Sequence, residues 1–359
     1  MKIVQLLPTI AYGDAVSNDT LALDGLIGSM GYKTGIYSEI IDKRVAEDIP
    51  VMSIKKLPRL REDDVLIYHL CVGFSFHKEL PKIKSRKIAI YHNVTPAFFF
   101  KEYSFLYYSA CQQGIEEVKK LNNVFDYCLA DSEYNRKDLI SHGYRCPIDV
   151  RPILMPFEDY DKAPSKKILE RYNDGKTNIL FVGRVAPNKK QEDVITAFSC
   201  YKKYYDPEAR LILVGSHDIP LYQSRLEEYV KLLGVKDVLF TGKIPFDEIL
   251  AFYKISDIFL CMSEHEGFCV PLIEAMYFGV PIIAYASSAI PDTLAGSRVL
   301  MCEKNPLYTA AMINRIIKDK KLKEIVIKNQ RKRLLELSYE KTSTLCLDLF
   351  SKFIRGLSK

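Results

Sequence analysis

An α/β protein made of two parallel βαβ domains is what this sequence predicts, and three observations predict it. Short apolar runs of strand length alternate with helix-like runs through both halves of the chain. The length, 359 residues, exceeds what one hydrophobic core usually serves and suits two domains of about 150 to 200 residues. Between the halves, residues 154–176 (LMPFEDYDKAPSKKILERYNDGK) are polar and carry two prolines and a glycine. That stretch is expected to be a linker and lead-in to the second domain. The expected boundaries are 1–160 for the first domain and 161–341 for the second.

In the first half, the apolar runs predict strands near Lys2–Leu7, Lys33–Tyr37, Val65–Tyr68, Lys87–Tyr91, Tyr127–Ala130 and Ile148–Arg151. In the second half they predict strands near Asn178–Val182, Arg210–Val214, Val238–Thr241, Ile258–Cys261, Pro281–Tyr285 and Val299–Met301. A helix is expected over Glu192–Tyr205, and an amphipathic one over Thr342–Gly356. No internal repeat beyond this alternation is visible.

Composition narrows the class. Hydrophobic residues at 48% and charged residues at 27% are those of a soluble globular protein. No apolar run reaches 18 residues, and the N-terminus enters a strand without a small-residue cleavage site, so neither a membrane span nor a signal peptide is expected and the predicted location is cytoplasmic. Nine cysteines form no C-x-x-C pair, which predicts reduced, mostly buried thiols. Six histidines make no i, i+4 pair with an adjacent Glu, so no metal is expected. The net charge of +6 is dispersed, which argues against nucleic acid as a partner. No G-x-G-x-x-G follows the first strand, which removes the dinucleotide dehydrogenases.

Two clusters carry chemistry. Glu266 and Glu274 lie eight positions apart across a small-residue turn that opens a helix-like run. If that helix starts near Val270 or Pro271, one carboxylate sits in the loop at its N-terminus and the other on its first turns, and both can meet a ligand that also meets free backbone amides. The flanking strand-like runs place the pair at the carboxyl end of a strand, where open parallel sheets hold ligands. In the second cluster, Gly183 permits a tight exit from the strand Asn178–Val182. Arg184 and Lys189, five apart on the following loop, offer a fork of donors and a point charge suited to phosphate oxygens. In the first half, His92 follows a buried strand and stands at the carboxyl edge of its sheet, with His69 as rival for the same role.

The stretches FVGRVAPNKKQEDVITAF (181–198), RLILVGS (210–216), VLFTGKIP (238–245) and SDIFLCMSEHEGFCVPLIEAMYFGVPIIAYASSAIPD (256–292) resemble the retaining nucleotide-sugar glycosyltransferases of family 4, the glycosyl transferases group 1. The resemblance implies the GT-B fold: two Rossmann-like domains facing a central cleft, with a C-terminal helix (342–359) crossing back to the first. It implies a metal-independent hexosyltransferase that uses no cofactor and takes a nucleoside diphosphate sugar, GDP-mannose ahead of UDP-hexoses. Catalytic roles fall on His92, Arg184, Lys189 and Glu266. Donor contacts fall on Gly13, Gly183, Arg184, Lys189, Gly215, Lys243, Ile244, Glu266, Gly267, Phe268, Cys269, Val270 and Glu274. Glu266 would hold sugar hydroxyls and Glu274 ribose hydroxyls, while the base lies against Gly242–Pro245.

The loop Ala11–Asn18 departs from the family's double glycine by offering only Gly13, and Ser132 reads as a helix cap with Asn135. The expected acceptor is a glycan or a lipid-linked glycan in cell-surface polysaccharide or glycolipid synthesis. Basic clusters at 55–61 and 82–87 beside the aromatic runs Phe98–Phe100 and Phe105–Tyr108 suit peripheral contact with the inner membrane face. The competing readings are a phosphorylase or epimerase on the same fold, or a noncatalytic nucleotide-sugar-binding partner subunit.

Overall fold

The structure, a computed structural model, describes residues 1–297 and 299–357. Two compact units divide it: Met1–Phe98 with Leu106–Phe157 and the segment from Leu337, and Phe99–Phe105 with Glu158–Glu336. Each unit is a parallel sheet flanked by helices.

Unit 1 holds strands β1 (Lys2–Ile10), β2 (Lys33–Ile41), β3 (Val51–Ser53), β4 (Val65–Leu70), β5 (Arg86–Tyr91), β6 (Tyr127–Ala130) and β7 (Ile148–Val150). They form a seven-stranded sheet ordered β3-β2-β1-β4-β5-β6-β7, parallel throughout. β4 is buried at every position, as the continuous apolar run of a strand covered on both faces requires. β1 runs three residues beyond the expected Leu7, through Pro8. Its pairing with β4 ends at Leu6, while its pairing with β2 continues to Ile10. Pro8 therefore sits where β1 has become an edge, and no ladder bond is lost. The three-residue β3 was too short to stand out in the sequence.

Unit 2 holds β8 (Asn178–Val182), β9 (Arg210–Val214), β10 (Val238–Gly242), β11 (Ile258–Cys261), β12 (Ile282–Tyr285) and β13 (Leu300–Met301). Their order is β10-β9-β8-β11-β12-β13, again all parallel. In both units the strand order reverses once, between β1 and β4 and between β8 and β11. Such a reversal sends the two following connections to opposite faces of the sheet and leaves a crevice at the carboxyl ends.

Ile3, Leu23, Ile67, Ile90 and Leu129 lead the core of unit 1, joined there by Cys346 and Phe350 of the last helix, Tyr339–Leu357. The chain thus returns to unit 1 at its end. The boundary between the units, Phe157 to Glu158, falls inside the stretch 154–176, which is structured rather than extended. A 3-10 turn, Phe157–Asp161, and a helix, Lys166–Tyr172, occupy it, and Tyr160 is buried. Phe99–Phe105, numbered in the first half, packs within unit 2, where the ring of Phe99 lies 6.5 Å from His265 and that of Tyr103 lies 5.1 Å from Tyr222. Aromatic burial overrides sequence position there.

Phe350 is 1% exposed, so Phe350→Ala is expected to destabilise unit 1 by about 3–5 kcal/mol through lost burial and an unfilled cavity. A chemical-denaturation midpoint equal to that of the wild type would show that the last helix contributes nothing to this core.

Candidate functional site

The loops after β8 and β11 meet at the unit 2 reversal because those strands are neighbours, with Ile258 beside Ile179 and Phe259 beside Leu180. The loop after β8 begins at Gly183 and runs against the exit of β9. Gly183 N donates to Val214 O at 2.8 Å, and Val185 N donates to Ser216 O at 2.9 Å. Gly215 has φ +151°, and a Cβ there would lie 2.0 Å from the carbonyl oxygen of Gly183. Backbone opposes backbone at that point, so no side chain fits.

Pro187–Lys189 then forms a 3-10 turn closed by Lys190 at φ 53°. Asn188, buried, ties this turn to the loop after β11: its Nδ2 donates to His265 O at 3.1 Å, and its carbonyl oxygen accepts from Glu264 N at 2.8 Å. Ser288 Oγ accepts from Glu266 N at 2.8 Å. Between these anchors, Lys189 Nζ donates to both oxygens of Glu266, at 2.7 and 2.6 Å. Burial alone would depress the lysine, but the Glu266 carboxylate outweighs it and raises the ammonium above its ordinary range. The sequence assigned the two side chains to different parts of a ligand, one to phosphate and one to sugar. In the structure they form one ion pair. Arg184, half-buried on the same loop, is positioned through its carbonyl oxygen, which accepts from Gln191 Nε2 at 3.0 Å.

Cys269, in a left-handed conformation at φ 72°, starts the helix Val270–Tyr277 and contributes no side-chain cap. Pro271 lies in the first turn, where its missing N–H costs nothing. Phe268 is buried, its carbonyl oxygen accepting from Thr293 Oγ1, and Gly267 lies half-buried beside it. Glu274, one turn into the helix, accepts from Tyr253 at 2.6 Å and from Tyr160 at 3.1 Å, one phenol on each oxygen. Burial raises its pKa, and the two phenols pull it down only in part. Each oxygen keeps a second lone pair with which to accept from a ligand. At the exit of β10, Gly242 has φ +71° and accepts from Gly215 N at 3.3 Å. Lys243 beyond it is exposed and Ile244 half-buried.

In unit 1, Gly13 is exposed with φ +76°. Asp14 beside it caps the helix Ala15–Ser29 by accepting from Ser17 N at 2.9 Å. Ser132 caps the helix Glu133–Ser141 through Asn135 N, as expected. His92 stands at the end of β5 with both ring nitrogens engaged: Nδ1 lies 2.7 Å from Asp131 Oδ2 and Nε2 lies 2.9 Å from His69 Nδ1.

The proton positions follow from the neighbours. Gln5 Nε2 donates to Thr20 O, which turns Gln5 Oε1 toward His69 Nε2 at 3.0 Å, so His69 Nε2 carries a proton. Burial and the adjacent charge of His92 hold His69 well below the ordinary histidine range, so it is neutral and its Nδ1 accepts. His92 Nε2 must then donate. Burial pushes the Asp131 carboxyl up and His92 and Arg151 pull it back only in part; with Asp131 ionised, Nδ1 donates to it as well and His92 is an imidazolium. Burial opposes this charge, but Asp131 raises the pKa above the ordinary value. Arg151, fully buried, meets Asp19 at 2.8 and 2.5 Å behind this chain.

Residues 164–333 match the family described as glycosyl transferases group 1. That segment belongs to the glycosyl transferases group 1. An uncharacterized glycosyltransferase of Methanocaldococcus jannaschii is 28% identical over 166 residues, 45% of this chain and 41% of that one. A GDP-mannose-dependent alpha-(1-6)-phosphatidylinositol monomannoside mannosyltransferase of Mycobacterium tuberculosis is 30% identical over 143 residues, 37% of this chain and 36% of that one. The matched stretches thus span well under half the length of these curated relatives. Among solved structures, Anabaena HepE in complex with UDP-glucose superposes with a TM-score of 0.77 at 16% identity, covering 98% of this chain and 100% of that one. At that identity the likeness concerns the fold, which is GT-B: two Rossmann-like units, each on a parallel sheet.

The group 1 segment contains the ion pair, Glu274 and both glycine exits. Among the described residues, two groups of ligating side chains, Asp19–His69–His92 in unit 1 and Cys261–Glu266–Cys269 in unit 2, each bring their donor atoms within 4.8 Å of one another. In the first, the oxygens of Asp19 already serve Arg151 and Leu154 N, and the imidazoles serve each other. In the second, both Glu266 oxygens accept from Lys189 and Cys261 Sγ donates to Ser263 Oγ, while the two sulfurs face each other and the carboxylate.

Sequence reasoning missed Asp131, Tyr253, Tyr160 and the cysteine pair. For Asp131 a signal existed. It follows β6 as His92 follows β5, and the register Tyr91 to Ala130 sets the two side by side.

Gly215→Ala is expected to destabilise unit 2 by several kcal/mol, on the order of other forced-backbone substitutions. Near-wild-type thermal stability of the variant would refute the close approach. At neutral pH, 15N spectra are expected to show His92 protonated on both nitrogens and His69 on Nε2 alone. A neutral His92 would overturn the proton assignment. The raised pKa of His92 adds stability that is complete below its ordinary value of 6.5 and is lost as pH rises through the folded value. The depressed pKa of His69 subtracts stability as pH falls below 6.5. The pair therefore favours maximal stability just above that pH, measurable as denaturation midpoint against pH.

Proposed function

We propose that the chain transfers a hexose from a nucleoside diphosphate sugar to an acceptor hydroxyl, with retention at the anomeric carbon. The single observation that carries this reading is the Lys189–Glu266 pair at the β8–β11 reversal, with Arg184 on the same loop. A ligand presenting both hydroxyls and phosphate satisfies both members of the pair: hydroxyls donate to Glu266, and phosphate oxygens accept from Lys189.

As the sugar–phosphate bond breaks, negative charge grows on the diphosphate. Lys189, Arg184 and the uncapped amides at the start of helix Val270–Tyr277 meet that charge more strongly in the transition state than in the ground state. These fixed donors do the neutralising that a divalent ion does in other transferases. Same-face attack, with the leaving phosphate taking the acceptor proton, needs no separate base. Glu274, oriented by Tyr253 and Tyr160, accepts from the ribose hydroxyls. His92, its proton spent on His69, acts as a fixed positive charge in unit 1 rather than as a proton shuttle.

GDP-mannose is the donor favoured over UDP-hexoses, supported by the 30% identity to a GDP-mannose-dependent enzyme. The proposed acceptor is a glycan or lipid-linked glycan of a cell-surface polysaccharide or glycolipid, met at the cytoplasmic membrane face. Among the described residues no helix is long and apolar enough to cross a membrane. Phe98, Phe105 and Leu106 are 67%, 81% and 75% exposed, which suits peripheral contact instead.

A thermal-shift panel of GDP, UDP, TDP and ADP is expected to show one clear responder, since a ligand at 100 times its dissociation constant stabilises by about 2.7 kcal/mol. Glu274→Ala is expected to abolish that shift. Lys189→Met is expected to retain nucleoside binding and lower turnover about 10²- to 10³-fold. Full turnover by the lysine variant, or no response to any nucleotide, would sink the reading. Release of sugar 1-phosphate when inorganic phosphate replaces the acceptor would favour a phosphorylase.

A further inference from the structure

The carboxylate that pairs with Lys189 has a second set of neighbours. Cys261 ends β11 and Cys269 starts the helix Val270–Tyr277, and the seven residues between them fold back so that both thiols approach Glu266. Their Sγ atoms and a carboxylate oxygen lie within 4.8 Å of one another, and Cys261, Glu266 and Cys269 are 1%, 7% and 8% exposed. A tetrahedral ion with metal–sulfur bonds of about 2.3 Å and a metal–oxygen bond of about 2.0 Å needs donors roughly 3.5 to 3.8 Å apart. Small side-chain rotations inside that spacing suffice. Two soft sulfurs and one oxygen select a zinc-class ion over magnesium or calcium.

We propose that Cys261, Glu266 and Cys269 form a binding site for a soft divalent cation, and that its occupation withdraws Glu266 from Lys189. Charge balances through the exchange. Before binding, the ammonium cancels the carboxylate, and the sulfurs balance as protonated thiols. On binding, the ion brings two positive charges and both thiols release protons to solvent. Two thiolates, one carboxylate, the dication and the adjacent Lys189 ammonium again sum to zero. A buried cluster that stays neutral avoids the desolvation penalty of an uncompensated charge. The fourth coordination position remains open to water. Cys269, at φ 72°, is buried, and Ser263 Oγ, which accepts from Cys261 Sγ at 3.4 Å, lends that sulfur a polar neighbour. This inference goes beyond the transferase reading, because a chain that bound no nucleotide would still bind the ion.

Cys128 and Cys146, with sulfurs 3.4 Å apart in unit 1, provide a built-in control, since no third ligand is grouped with them among the described residues. The full chain, kept reduced with a phosphine, is titrated with cadmium and followed by the ultraviolet thiolate-to-cadmium charge-transfer band. One tight equivalent is expected in the wild type and in C128S/C146S, and none in C261S/C269S. Glu266→Gln is expected to keep the band and weaken affinity at least tenfold. A band that survives C261S/C269S, or an affinity unchanged by Glu266→Gln, overturns the site. Should the double serine variant fail to fold, X-ray absorption of the zinc-loaded wild type decides. Two sulfur and two lighter neighbours support the assignment, and a shell lacking two sulfurs overturns it.

Discussion

One ion pair, Lys189 with Glu266, is the constraint on which the site of unit 2 depends. Its two residues lie 77 apart in the chain, on loops from strands that neighbour each other in the sheet, and the pair joins those loops where the strand order reverses. Neither charge could be left alone there. A half-buried ammonium without its carboxylate, or the reverse, pays a desolvation cost that only a ligand could repair. The pair is thus a structural tie between the two loops.

The elements around the pair are rigid for separate reasons. Gly215 lets the β9 exit touch the β8 exit, Asn188 clasps the loop after β11 through two backbone groups, and Ser288 holds Glu266 by its amide. Glu274 is fixed by two phenols drawn from different parts of the chain. Unit 1 solves a related problem in another way. It buries a positive imidazole by giving it a carboxylate on one side and a neutral imidazole on the other, with the Arg151–Asp19 pair beyond. Polar groups this deep persist because nearly every donor finds an acceptor.

Most strands were legible in the sequence because fully covered parallel strands are continuous apolar runs, and those runs need no long-range information. The ends of β8, β9 and β11 and the start of helix Val270–Tyr277 could be read to the residue or nearly so. Where the sequence misled, a local signal met a tertiary override. Pro8 suggests the end of a strand, yet β1 continues along β2 because its pairing with β4 has already ended at Leu6. The polar stretch 154–176 does hold the boundary between the units, yet its polarity hides that Tyr160 within it is buried against Glu274. Cys261 and Cys269 have no metal-like spacing, yet a loop between strand and helix folds them together.

Sequence alone determined the residue types of the site and the strand ends that carry them, because periodicity, glycine exits and carboxylate spacing are local properties. Only the tertiary structure decided which charges pair. Sheet order sets which loops become neighbours, and burial then sets the protonation state each group must adopt. Lys189 and Glu266, His92 and Asp131, and Cys261 and Cys269 are partners by topology, and no count along the chain contains that information.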